Sequence, residues 1–174
     1  MSERFFLLTG CSSGGKSTLL DALAATGVCT VEEPGRRVVA GGVDPYETPA
    51  RFAEACIACA LEDWQGSPRD ATVVFDRGIL DAVSALIAMG SADESHLDLI
   101  ATHRYAPATV FAPPWPEIYV RDGARRHGLE AAVEEYERLL EHHRAWGYRP
   151  TVLPKADVAT RLAWMQAVIE EERP

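Results

Sequence analysis

Gly10-Cys11-Ser12-Ser13-Gly14-Gly15-Lys16-Ser17 has the residue types and spacing that a bound polyphosphate needs, a complete G-x-x-x-x-G-K-[ST] pattern. Glycines let backbone N–H groups curl around phosphate oxygens, and a helix starting just after them adds partial positive charge. Lys16 would reach the β- and γ-phosphates and the Ser17 hydroxyl would ligate Mg2+. Gly10, Ser12, Ser13, Gly14, Gly15 and Thr18 would complete the cradle. Cys11 fills a free position of the pattern and reads as a tolerated small residue rather than a reactive thiol.

Three other groups carry chemistry if phosphates sit at 10–18. Asp76-Arg77-Gly78 stands where an apolar run stops. A carboxylate there can hold Mg2+ directly or through water, and Arg77 can clamp an acceptor or the transferred group. The alternative is a strand-end aspartate capping the next helix, with Arg77 solvated. Glu32 and Glu33 are adjacent on an extended segment, so their side chains point to opposite sides and only one can face a site. The residues alone do not choose between them; Glu33 is favoured, as general base or metal partner, with Arg36 on the acceptor. A solvated charged turn is the competing reading.

Arg121, Arg125 and Arg126 form a basic cluster in an otherwise acidic chain. Such arginines can neutralise charge that builds in a transition state, or stack on a purine; otherwise they mark an exposed turn entering a helix. Trp115 and Tyr119, in the rigid stretch 111–119, either pack on the body or line a pocket. Cys56 and Cys59 lie in a helical apolar setting that fits buried structural thiols better than a metal pair. His127, His142 and His143 show no metal-ligand arrangement; the last two, adjacent on a helix, read as surface imidazoles.

The elements that must position these groups alternate in type. Strand-like runs fall at 4–9, 28–32, 71–76, 107–112 and 150–154. Helical patterns fall at about 49–65, opened by Thr48-Pro49, at 79–89, stopped by Gly90, and at 94–103. Another spans 129–147, with Leu129, Val133, Tyr136 and Leu140 on one face, and the last covers 157–172 with Asp157 as its cap. This alternation predicts an α/β fold, a parallel sheet covered by helices on both faces, with ligands at the carboxyl ends of the strands.

Composition narrows the function classes. At 174 residues one domain, 1–174, is expected. A net charge of −9 argues against non-specific nucleic-acid binding, which needs a basic surface. No run is long and apolar enough to span a membrane, and the N-terminus lacks a signal-peptide pattern, so a cytoplasmic protein is expected. Four cysteines are too few for a disulfide scaffold.

In order along the chain, the loop 10–18, Glu33-Pro34-Gly35-Arg36 with Val38-Val39, Phe75-Asp76-Arg77-Gly78, Ala112 to Trp115, Arg125-Arg126, and the region of Leu153-Pro154 and Arg161 resemble a known set. They resemble the small P-loop proteins described as "AAA domain", which group with the ribosylnicotinamide kinase domain of a bacterial NAD-biosynthesis regulator. More broadly, the chain is similar to nucleoside and nucleotide kinases. The resemblance implies a three-layer P-loop NTPase fold whose five parallel strands run in the order 2-3-1-4-5. It also implies a lid around 121–128, and a nucleobase pocket shaped by that lid and by Pro154 to Val158.

Together these readings predict a P-loop phosphotransferase that uses ATP and Mg2+ and acts on a small acceptor, nucleoside- or nucleotide-like. Ser17 and Asp76 would hold the metal and Lys16 the phosphates. Glu33, Arg36 and Arg77 would meet the acceptor, and Arg125 or Arg126, with Arg121 beside them, would close over the transferring group. ATP is preferred to GTP because no N-K-x-D guanine reader is present. The alternative is a nucleotide-dependent switch with slow hydrolysis and a protein partner, using 41–50 as its switch loop. Oligomeric state is not legible.

Overall fold

A computed structural model describes residues 4–118 and 128–173. The apolar runs form the three central strands, β1 (Phe5–Gly10), β3 (Val73–Asp76) and β4 (Ala108–Ala112), with every residue buried. The rims are β2 (Cys29–Val31) and β5 (Arg149–Val152), both shorter on apolar residues and partly exposed. The five strands pair in parallel in the order β2-β3-β1-β4-β5, the order the resemblance implies. Parallel strands need helical crossovers, and buried strands of this kind read as continuous apolar runs.

The crossovers are α1 (Lys16–Ala25), α2 (Pro34–Ala40), α3 (Pro49–Gly66), α4 (Ile79–Ala88), α5 (Glu94–Thr102) and α6 (Leu129–Ala145), and α7 (Val158–Glu171) follows the last strand. Successive strand residues point to opposite faces, so β1 feeds two cores. Phe5 and Leu7 pack with Phe75, Ile57 and Leu86, under α3 and α4. Phe6 and Leu8 pack with Val74, Leu19, Leu23 and Met165, under α1 and α7. Truncating a buried leucine to alanine costs about 2–5 kcal/mol, a large share of a domain's net 5–15 or so. Either layer is therefore indispensable to the frame that holds the strand ends. Among the described residues no helix is long and apolar enough to cross a membrane.

Helix limits follow local chemistry. Pro49 occupies the first turn of α3, although the Thr48 hydroxyl bonds the Asp44 carbonyl rather than capping the helix. Asp157 caps α7 by accepting from the Thr160 N–H at 2.7 Å. Cys56 lies on the buried face of α3 with Ala53, Ile57 and Ala60, and burial, then Cys59, pushes its thiol up to about 12. A thiol so hard to ionise is structural.

Three expectations are corrected. The charged segment after β2 is helical: Pro34 opens α2, with its missing N–H at a position that has no helical partner anyway. The buried face of α6 is Ala132, Leu139 and His143, turned one residue from the stripe of Leu129, Val133, Tyr136 and Leu140, because His143 packs on Thr109 and Phe111 of β4 while Tyr136 keeps only an edge-on contact with Phe111. His143 is accordingly not at the surface. It is fully buried, with Nδ1 3.1 Å from the Thr109 hydroxyl and its ring edge-on to Phe111 at 5.0 Å. His142 is half-buried, with Nδ1 2.8 Å from the Ser84 hydroxyl.

Burial, helped by the neighbouring His142, lowers the His143 pKa from 6.5 to about 3. The unfolded chain therefore binds a proton that the folded chain refuses between those values, and stability falls as pH drops through that window by at most ~1.4 kcal/mol per pH unit. His143→Gln, which keeps a partner for Thr109, is expected to flatten this slope. Urea unfolding at pH 7 and pH 5 should show a loss smaller by about 1 kcal/mol or more in the variant than in the parent. Equal losses would remove His143 from the acid limb.

Candidate active site

The loop at 10–17 leaves the centre of the sheet, where β1 ends. Gly10 sits at φ +103°, and a Cβ there would lie 2.5 Å from the Ala112 carbonyl of β4, so only glycine fits. The Cys11 N–H donates to that carbonyl at 2.8 Å, which pins the start of the loop. Ser13 and Gly15 also have positive φ, 60° and 73°, and α1 begins directly after at Lys16. The buried Lys16 ammonium reaches across the loop to the Cys11 carbonyl at 3.1 Å. Its pKa is lowered by burial, then by Arg77, against the pull of Asp76 and Glu33.

Asp76 ends β3 beside Leu8 of β1. It is buried, and its Oδ1 has no hydrogen-bond partner among the described residues. Burial is the main cause that raises its pKa to about 6, with Lys16 opposing. A buried carboxylate oxygen left without a donor fits a cation, and Ser17 stands on the same cleft. Among the described residues no group of three or more His, Cys, Asp or Glu could hold a metal ion. The unpartnered Asp76 oxygen and the Ser17 hydroxyl on one cleft fit the way Mg2+ binds, with one or two protein oxygens and a shell completed by phosphates and water. The Ser17 hydroxyl now accepts from Arg36 Nη2 at 2.8 Å.

Arg77 is neither solvated nor free. Its backbone is left-handed, at φ +59°, with its N–H on the Leu8 carbonyl at 2.9 Å. The guanidinium meets Glu135 of α6 at 2.7 Å, Asp81 of α4 at 3.3 Å, Glu33 at 3.4 Å and the Gly10 carbonyl at 3.1 Å. Asp81 also accepts from the Gly78 N–H at 3.0 Å and from the Thr9 hydroxyl. It is Asp81, not Asp76, that closes the first turn of α4.

Of the two glutamates, Glu33 lines the cleft and Glu32 is exposed. Glu33 heads α2 and bridges Arg77 and Arg36, the latter at 3.5 Å. Burial pushes its carboxyl up, but Arg77, Lys16 and Arg36 outweigh it and hold it below the ordinary range. Glu33 is therefore ionised at neutral pH.

The cleft above these groups has a volume of about 430 Å3. It is lined by Ser12, Ser13, Gly15, Lys16, Ser17 and Thr18 of the loop and first helical turn, and by Glu33, Arg36 and Asp76. Trp115, Ile118, Ala156, Asp157 and Val158 line it too, with Arg161, which sits against the loop itself. Gly10, Gly14 and Arg77 support the cleft without lining it; of the stretch expected at Pro154 to Val158, Ala156, Asp157 and Val158 line it and Pro154 does not. Arg121, Arg125, Arg126 and, apart from Gly128, the segment 121–128 expected as a lid lie outside the described residues.

Sequence reasoning missed Asp81, Glu135 and the placement of Arg161. Asp81 is four residues after Arg77 inside an apolar helix, and Arg161 interrupts an apolar stripe with Met165 and Val168; both were visible signals. Glu135 is one of several glutamates on α6, and nothing distinguishes it before the fold is known.

The profile of a family described as "AAA domain" matches residues 5–161. The chain belongs to this family. No curated protein matches the AAA-domain chain. Among solved structures it is similar to deoxyadenosine kinase from M. mycoides with dCMP and dCDP bound, at 12% identity and a TM-score of 0.67, covering 97% of this chain and 100% of that one. Thymidylate kinase from Candida albicans is similar at 15% identity and TM-score 0.63, covering 97% and 91%. Shikimate kinase from Acinetobacter baumannii in complex with shikimate is similar at 14% identity and TM-score 0.60, covering 98% and 96%. The shared feature is the P-loop kinase fold.

Asp76→Asn tests the cation site apart from turnover. Mg2+-dependent nucleotide affinity, measured by calorimetry with and without chelator, is expected to fall about tenfold or more, with metal-free affinity unchanged. Because the folded-state pKa of Asp76 is raised, its ionised form costs stability above pH about 6, so the variant's Tm at pH 8 should not drop. Metal dependence equal to the parent's would remove Asp76 from the site.

Proposed function

We propose that the chain is an Mg2+-dependent phosphotransferase that binds ATP and passes its γ-phosphoryl group to a small nucleoside- or nucleotide-like acceptor. The observation that carries this reading is Glu33: an ionised carboxylate, held by Arg77 and Arg36, in the same cleft as Lys16, Ser17 and Asp76. A protein that only stores a nucleotide needs no carboxylate beside the phosphate loop. One that activates an acceptor does. The shared fold of enzymes named as deoxyadenosine, thymidylate and shikimate kinases supports the same class.

In the reaction, the acceptor oxygen forms a bond to the γ-phosphorus while the bond from that phosphorus to the β–γ bridging oxygen breaks and ADP leaves. The acceptor proton passes to a Glu33 carboxylate oxygen; with its lowered pKa, Glu33 orients the hydroxyl first and accepts the proton late. Lys16 lies on the loop to meet the phosphate charge as it redistributes. Ser17 and Asp76 would hold Mg2+, which when bound neutralises the phosphate oxygens. Arg36, which donates to the Ser17 hydroxyl and pairs with Glu33, is assigned to the acceptor side of the cleft. The arginines at 121–126 are assigned to closing over the transferring group.

A panel of nucleosides, mononucleotides and small polyols, assayed for ADP release above background, is the direct test. One stimulating acceptor is expected. A flat panel with slow basal hydrolysis would replace the reading with a nucleotide-driven switch. Lys16→Ala should abolish ATP turnover. Glu33→Gln should cut acceptor-dependent kcat about 100-fold or more with little change in ATP affinity. A Glu33→Gln enzyme with unchanged kcat would strip Glu33 of its role.

A further inference from the structure

Arg161 projects from α7 into the back of the phosphate loop. It is 3% exposed. Its Nη2 donates to the Gly14 carbonyl at 2.8 Å and its Nη1 to the Gly15 carbonyl at 3.3 Å. The Nε is buried without a partner, and the guanidinium stands 5.6 Å from the Trp115 ring centre. Among the described residues no carboxylate pairs with it. Asp157, one turn earlier, spends its carboxylate on the Thr160 N–H. Burial alone lowers the Arg161 pKa, with no anion offsetting it.

A buried cation without a counter-charge is expensive, and breaking up such charges is among the larger effects in protein stability. Elsewhere in this site every buried cation has carboxylates about it: Arg77 has three and Lys16 feels Asp76 and Glu33. Arg161 has only carbonyl dipoles and faces the cleft. The C=O and N–H of a trans peptide point in opposite directions. Drawing the Gly14 and Gly15 carbonyls toward Arg161 thus aims the N–H groups of Gly15 and Lys16 the other way, into the cradle. A Cβ at residue 15 would meet the guanidinium at 2.5 Å, so the contact also needs glycine there.

We infer that Arg161 is a positioning residue for the donor: its fork sets the two loop peptides with their N–H groups toward the phosphates, and its unpaired charge is completed by the polyphosphate itself. This rests on the proposal that the cleft takes a nucleotide polyphosphate, and it commits to the phosphate chain, not the base, as the moiety that Arg161 serves.

The test compares the unaltered chain with Arg161→Met and Arg161→Lys, using ATP and tripolyphosphate as ligands in calorimetry and measuring the Tm of the empty protein. Arg161→Met is expected to lose about tenfold or more in affinity for both ligands, while its empty Tm holds or rises because a lone buried charge is gone. Arg161→Lys, which keeps the charge but cannot fork to two carbonyls, should recover part of the affinity for both. Affinities within twofold of the parent in Arg161→Met would overturn the inference, and so would weaker ATP with unchanged tripolyphosphate, which would make Arg161 a base contact. A lower empty Tm with unchanged ligand affinity would leave it a purely structural arginine. If Arg161→Met does not fold, Arg161→Gln, which still donates to one carbonyl, is held to the same outcomes. An unaltered chain that binds neither ligand would overturn the donor reading and this inference with it; one that binds both, with equal binding by the variant, overturns the inference alone.

Discussion

One guanidinium ties the elements around the cleft to each other. Arg77 follows the last residue of β3 in a left-handed conformation, a state that a side-chain-bearing residue adopts only when its surroundings enforce it. The enforcement is the set of partners: Glu33 at the head of α2, Asp81 in α4, Glu135 in α6 and the carbonyl of Gly10 at the mouth of the loop. Four segments distant in sequence thereby share one charge. Each carboxylate alone would be poorly placed at the strand ends, and burial pushes Glu33 and Asp81 toward protonation. With Arg77 among them Glu33 stays ionised, so the chemistry assigned to Glu33 depends on a residue that lies behind the cleft wall.

The same arrangement separates two functions of carboxylates. Asp76 and Glu33 stand near the same lysine, yet one is driven up by burial and the other is held down by cations. Divergent environments give similar side chains different work. Asp76 keeps an oxygen without a donor, as a cation site requires, whereas the oxygens of Glu33 are already engaged by Arg36 and Arg77. The net charge of −9 is thus not spread evenly in its effect: around the loop, local cations decide which carboxylates remain charged.

Much of this was legible in the sequence where the determinants are local. β1, β3 and β4 are uninterrupted apolar runs, and the loop pattern, Pro49, Gly90 and Asp157 each act within a few residues of themselves. What was misread or left open depends on where a helix begins and on longer-range geometry. α6 carries two nearly adjacent apolar stripes; Tyr136 of one and His143 of the other both meet Phe111, and it is the further bond from His143 to Thr109 on the sheet that marks the fully buried one. The choice of Glu33 over Glu32 is made by where α2 begins, which the glycine at position 35 obscures in the sequence. Arg161 announces itself as a charge in an apolar stripe, but its partners, Gly14 and Gly15, are almost the length of the chain away.

The rims of the sheet also shape how copies of this molecule can meet. β2 is only three residues long, and β5 contains Pro150, which has no N–H to offer. Neither rim is a good template for a strand from another chain, so growth of the sheet from one molecule into the next is discouraged at both ends.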